Sequence, residues 1–207
     1  MSMTVARDDA RHAGERDSRP AAAKVALWVF MAVVTVLFAQ FLHAYIARMD
    51  YADWQRLPTL PTVWLNTALL AASSAALQWA RQAGRRGQLG GMKTGLLLGG
   101  VLALGFLGGQ LWLWRQLTAL DYALTSGPAS SFFYLLSGLH GLHLIGGLVA
   151  WGLTARRVWR DGLSEDAALA VQLCARYWHF LLALWLVLFG LLFLIPPATI
   201  QEICRRF

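Results

Sequence analysis

Five long apolar runs alternate with short polar stretches along the chain, at about 25–47, 62–80, 94–114, 131–155 and 174–195. Each is close to the ~20 residues that a helix rising 1.5 Å per residue needs to cross the hydrocarbon of a bilayer. At that depth no water satisfies the backbone, so a run of this length closes its hydrogen bonds within itself as a helix. All six prolines (Pro20, Pro58, Pro61, Pro128, Pro196, Pro197) fall outside the runs, so none is broken by a missing N–H or a ring clash. The pattern predicts an all-α polytopic membrane protein, a bundle of five transmembrane helices. Residues 1–23 are expected to form a disordered cytoplasmic tail, 24–197 one membrane domain, and 198–207 a short external tail. The polar start, with Arg7, Asp8, Asp9, Arg11, Glu15, Arg16, Asp17 and Arg19, lacks the apolar core of a signal peptide. The first span is therefore expected to act as an uncleaved insertion signal.

Composition agrees: 57% of residues are hydrophobic and only 14% charged, against about a quarter charged in soluble domains. The net charge of +7 does not mark a nucleic-acid surface, because the basic residues sit in loops. Arg7, Arg11, Arg16, Arg19 and Lys24 precede the first run, Arg81, Arg85, Arg86 and Lys93 follow the second, and Arg156, Arg157, Arg160 and Arg176 flank the fourth loop. The opposite side holds Arg48, Arg56, Arg115, Arg205 and Arg206. Positive loops face the cytoplasm, which puts the N-terminus inside and the C-terminus outside. Cys174 and Cys204 then lie at opposite faces and cannot pair. All eleven carboxylates lie outside the runs, which speaks against an ion-coupled carrier, since such proteins need ionisable groups at depth. Gly95 and Gly99, and Gly105 and Gly109, are spaced by four. They either let helix backbones approach closely or reflect the general abundance of glycine in membrane helices.

The polar residues inside the runs are the candidates for chemistry. His140 and His143 are three apart and expected on nearly one face of the fourth helix; His43 and His179 stand at different depths. A haem or copper ligand pair is one reading, and neutral imidazoles bonded to neighbouring helices or lipid is the other. Arg156, Arg157 and Arg176 gather where the fourth and fifth runs meet the cytoplasmic face, with Tyr177 and Trp178 as interfacial aromatics. They fit lipid phosphate as well as they fit topology alone. There is no phosphate loop, no cysteine pair with metal spacing and no Ser-His-acid arrangement. The residues support no autonomous catalyst.

Two strings carry a family resemblance: Ser137 to Gly147, containing G-L-H-G-L-H, and Tyr177-Trp178-His179-Phe180. They resemble the G-x-H-G-x-H and Y-W-H-F signatures of subunit III of the haem-copper terminal oxidases (cytochrome c or quinol oxidases). Further pieces occur in order: Leu27-Trp28-Val29-Phe30; Leu57-Pro58 and Leu60-Pro61 before Trp64-Leu65-Asn66-Thr67; Ser73-Ser74; Gly108-Gly109-Gln110 with Trp114; and Trp185. The resemblance spans Leu27 to Leu194 and fits the short five-helix bacterial form.

What the resemblance implies is a non-catalytic accessory subunit in the bacterial cytoplasmic (inner) membrane, partnered by oxidase subunits I and II. Haem and copper are expected in those partners; this chain is expected to hold no catalytic, cofactor or metal residues, only phospholipid in a cleft. Arg157 falls where a family headgroup arginine would, counted from His143. Tyr177, Trp178 and His179 are expected to join it in lipid binding. Trp28, Asn66, Gln110, His140 and His143 are expected to be packing residues of the family motifs. Four acidic positions of the family are neutral here, at Val34, Leu113, Gln172 and Leu182, so a carboxylate role in proton uptake has no support. Those departures keep open a related accessory subunit of a nitric oxide reductase; a small membrane transporter is a further alternative. The electron donor, cytochrome c or quinol, is set by other subunits.

Overall fold

The computed structural model describes the backbone of residues 2–49, 51, 54 and 57–194, with side chains from Pro20 onward. Among the described residues there are five helices: α1 (Ser2–Arg48), α2 (Pro61–Arg85), α3 (Leu89–Ala119), α4 (Pro128–Asp161) and α5 (Glu165–Phe189), the last extended by a π turn over Gly190–Leu194. Where the sequence reading expects a disordered tail through residue 23, the backbone continues as helix back to Ser2; the apolar part of α1 is Pro20–Arg48. The tail expected at 198–207 lies outside the described residues.

Four of the helices, α1, α3, α4 and α5, are long and apolar enough to cross a membrane. The second expected span, α2, has the length, 25 residues, but not the hydropathy. The cause is its inward face: Asn66, Ser73 and Ser74 are all buried. These polar side chains are turned away from lipid and toward the other helices, where each finds a bonding partner.

Local chemistry sets the helix ends. Leu60 is extended, as a residue before proline must be, and Pro61 opens α2 at a position that needs no N–H. Ser164 caps α5, its hydroxyl accepting from the Ala167 N–H at 3.2 Å, with Glu165 and Asp166 in the positive first turn. Gly87 turns the chain from α2 into α3 at φ +70°, a conformation that favours glycine.

Helices α2, α3, α4 and α5 form a closed ring of neighbours, and α1 packs outside it against α4 and α5. The α2–α3 pair is the most intimate. A Cβ at Gly95 would lie 2.8 Å from the Ala76 carbonyl oxygen, and one at Gly99 would lie 2.7 Å from Leu77 Cγ. This decides the glycine question for that pair. Gly105 has no such neighbour, while the missing Cβ of Gly109 makes room for the Asn66 amide.

Because lipid gives helices little hydrophobic reason to associate, packing and interhelical hydrogen bonds hold the bundle, each bond worth ~0.6 to 1.7 kcal/mol. Among the described residues tryptophans donate four of them. Trp178 Nε1 donates to Ser73 Oγ at 2.8 Å, and that hydroxyl donates to the Gly99 carbonyl at 2.7 Å. Trp185 reaches Thr67 Oγ1 at 3.0 Å, Trp151 the Leu96 carbonyl at 2.9 Å, and Trp114 the Ser137 hydroxyl at 3.2 Å.

Candidate functional site

A cleft of about 550 Å³ opens between α1, α4 and α5. Helix α1 closes on its neighbours through a stripe at helical spacing, Met31, Val34, Phe38 and Tyr45, all buried. Toward its start it stands off, and Leu27 and Phe30 face the cleft from that side. On α4 two adjacent glycines have different tasks. Gly146 has no neighbour within reach of a Cβ, whereas a Cβ on Gly147 would come to 3.0 Å from Tyr177 and 3.1 Å from Trp178. Gly147 therefore lets α4 and α5 meet at the floor, while Gly146 leaves the cleft its width.

The lining is apolar over most of its length, with Leu142, Leu169 and Leu173 among its walls. Polar groups are few and mostly occupied. His143 Nδ1 donates to the Leu139 carbonyl at 2.8 Å, which fixes the neutral tautomer with its lone pair on Nε2. Its ring packs on Phe38 at 5.6 Å and Phe30 at 6.2 Å between centroids. Tyr177 donates its hydroxyl to the His143 carbonyl at 3.2 Å, and Thr154 back-bonds to Ala150 at 2.8 Å. Arg157 lines the cleft at its charged end and, among the described residues, has no ion-pair partner. The neighbouring Arg160 is held by Asp161 at 2.7 Å.

Of the four residues expected to bind lipid, the cleft brings together Arg157, Tyr177 and Trp178. His179 is not with them. It faces α2, with Nε2 3.2 Å from Gln78 Oε1 and Nδ1 2.6 Å from Ser74 Oγ. Since the amide oxygen only accepts, Nε2 carries the proton and Ser74 donates to Nδ1. Trp178 is fully buried and its N–H is taken by Ser73, so it forms the floor and is not an interfacial aromatic. Arg176, expected beside Arg157, does not line the cleft; its guanidinium lies 5.5 Å from the ring of Trp28 on α1.

The residues expected to pack the family motifs also separate. Asn66 and Gln110 meet in the ring interior, Nδ2 to Oε1 at 3.3 Å. His140 is buried between Phe106, at 5.8 Å, and Trp185, at 5.2 Å between centroids. His143 faces α1 instead, so the two histidines do not share a face. A three-residue step turns a helix by ~300°, enough to aim one ring into the four-helix core and the other at the cleft. Among the described residues no group of three or more His, Cys, Asp or Glu is placed to hold a metal. Trp28 is 59% exposed, its ring met by Arg176 of α5.

Sequence reasoning did not single out Phe30 or Gly147 as cleft-forming residues. The signal was present in part: Leu27 and Phe30 are three apart on α1, and a Gly-Gly pair follows the second histidine of α4.

Comparison with known proteins is consistent across families and relatives. The family profile described as Cytochrome c oxidase subunit III matches residues 24–195. The chain is 28% identical over 183 residues to a probable cytochrome c oxidase subunit 3 of Mycobacterium tuberculosis, covering 86% of this chain and 90% of that protein. It is 29% identical to cytochrome c oxidase subunit 3 of Bacillus sp. PS3, covering 81% of this chain and 83% of that protein. A cytochrome bo(3) ubiquinol oxidase subunit 3 of Pseudomonas aeruginosa is 25% identical, with 81% and 82% covered.

Proposed function

The chain belongs to the cytochrome c oxidase subunit III family, and from that premise we propose that it is a stabilising accessory subunit that holds phospholipid beside its catalytic partner. It is a multi-pass membrane subunit of a haem-copper terminal oxidase, whose complex also contains subunits I and II. The finer reading places it in the bacterial cytoplasmic membrane with its N-terminus inside, in keeping with the uneven distribution of arginines.

The α1/α4/α5 cleft carries the lipid reading. A phospholipid has apolar chains and one phosphate diester, and the cleft has long apolar walls and one unpaired guanidinium at its charged end. Arg157 would take the phosphate through its planar fork of N–H groups. Leu142, Phe30 and Leu173 would flank the chains. A lipid lodged there is buried on three sides by helices, so it fills what would otherwise be a gap between α1 and the ring. Loss of that filler would let α1 move and loosen the complex during turnover.

The relatives named above are subunits of oxidases that use cytochrome c or ubiquinol, which favours dioxygen over nitric oxide as the partner's substrate. The test is Arg157→Ala in the assembled complex. Bound phospholipid is expected to fall and activity during sustained turnover to decay several-fold faster, with the initial rate little changed. Unchanged lipid content and an unchanged decay rate would remove the lipid role.

A further inference from the structure

A second hollow, of about 260 Å³, lies where α2 ends and α5 begins, at the same end of the bundle as Arg157. Arg81 and Arg85 on α2 face Glu165, Ala168 and Gln172 on α5 across it. Among the described lining residues it shares Leu169 alone with the first cleft. Arg176 stands one helical turn beyond Gln172 and lies against Trp28. Two guanidinium groups, Arg81 and Arg85, line the hollow, Arg176 is near enough to act on Arg81 through its charge, and among the described residues none of the three has an ion-pair partner.

Arg81 is the least satisfied of them. Its Nη1 makes one long bond to Gln78 Oε1, at 3.3 Å, and its buried Nε has no partner. Burial, followed by the like charges of Arg85 and Arg176, holds its pKa below the ordinary guanidinium value. A buried donor without an acceptor and a cluster of like charges both cost free energy, and one bound anion relieves both. A tetrahedral phosphate suits the site because two or three of its oxygens can each meet a guanidinium edge. Glu165 disfavours a bare dianion at the same place but complements an ammonium.

We propose that the α2/α5 seam is a second phosphate site, taking a phospholipid headgroup whose phosphate diester meets Arg81 and Arg85 and whose ammonium meets Glu165. Arg176 adds its charge from the side, and the exposed ring of Trp28 offers apolar surface beside it. The site is separate from the Arg157 cleft and does not depend on the occupant of that cleft. Inorganic phosphate shares the recognised chemistry but lacks the ammonium and the chains.

The test uses the intact oxidase complex in detergent, with phospholipid counted by native mass spectrometry. The combined variant Arg81→Gln, Arg85→Gln is expected to lose one phospholipid per complex, while Arg157→Ala loses a different one and the losses add. Rebinding of dioleoylphosphatidylethanolamine from mixed micelles is expected to weaken at least about tenfold in the double variant, as for the loss of charge-assisted bonds. Equal lipid counts and equal rebinding would overturn the proposal. Inorganic phosphate that stabilises the delipidated complex as well as the lipid does would also overturn it, in favour of a soluble ligand. Should the double variant fail to assemble, p-benzoylphenylalanine in place of Gln172 leaves all three arginines intact. Photolysis is then expected to yield a lipid adduct; an adduct to another subunit, or no lipid adduct, overturns the proposal.

Discussion

His140 is buried with neither ring nitrogen bonded to any described group, an expensive state for an imidazole in the middle of a helical ring. Leaving buried polar atoms unpaired costs ~1 to 3 kcal/mol. The ring itself fits well between Phe106 and Trp185. His140→Phe keeps the aromatic packing and removes the unpaired nitrogens, so it is expected to leave assembly intact and raise thermal stability by a few degrees. A lower melting temperature of the complex would show that His140 has a polar partner in the assembled enzyme. Val34 makes the opposite case. It is 2% exposed on the stripe that seats α1. Val34→Glu puts a lone carboxylate there, at a cost of ~2.5 to 3.5 kcal/mol by insertion scales, and is expected to lower the yield of assembled complex. Normal yield would mean that the position is wet or paired. The sequence alone made these residues candidates; it could not say which way each ring points, because a three-residue step aims His140 and His143 at different neighbours. That outcome depends on where α1 docks, and α1 is separated from them by about a hundred residues.

At the scale of helices, the five apolar runs were legible because length and apolar content are local properties of the chain. The exception, α2, shows what the hydropathy pattern misses. Its polar residues are the ones it shares with its neighbours, so a weaker apolar signal accompanies the tightest packing in the bundle. The α2–α3 pair rests on Gly95, where an added methyl would meet the backbone of Ala76 and Ala80, both at 2.8 Å. Backbone cannot step aside as a flexible side chain can. Gly95→Ala is expected to destabilise by ~1 to 3 kcal/mol, the range for overpacking, and to shift the midpoint of detergent- or heat-induced dissociation downward. The same change at Gly108, with nothing within 4 Å, serves as the control and should be silent in the isolated subunit. Equal effects at the two positions would count against the close α2–α3 approach. The split of the expected lipid residues belongs to this scale too. Tyr177, Trp178 and His179 are consecutive, so a helix must send them to different sides, and His179 went to α2.

For the whole molecule, the ring of α2 to α5 has the features of a rigid support. Its interhelical bonds are many and short, whereas α1 is fastened along one stripe and leaves the cleft beside it. A fold of that kind suits a subunit that stabilises a partner and holds lipid. It offers little to a carrier, since all eleven carboxylates lie outside the apolar runs and no helix among the described spans is broken in its middle. The family was legible in the sequence because its motifs sit at helix contacts, where Asn66, Gln110, Trp178 and Trp185 bond or pack across the ring. The cleft was not, because its walls come from parts of the chain far apart in sequence, Leu27 and Phe30 of α1 against Leu142 of α4 and Leu173 of α5. The decisive measurement at this scale is a gentle pull-down of the tagged chain from native membranes, with a reduced-minus-oxidised spectrum and oxygen uptake on the eluate. Haem absorbance and oxygen consumption are expected together, and the haem type and donor would then follow from the partners retained. An eluate that reduces nitric oxide and not dioxygen would move the subunit to the other partner class. An eluate holding this chain alone, without haem, would mean that the ring stands by itself and that the supporting role is wrong.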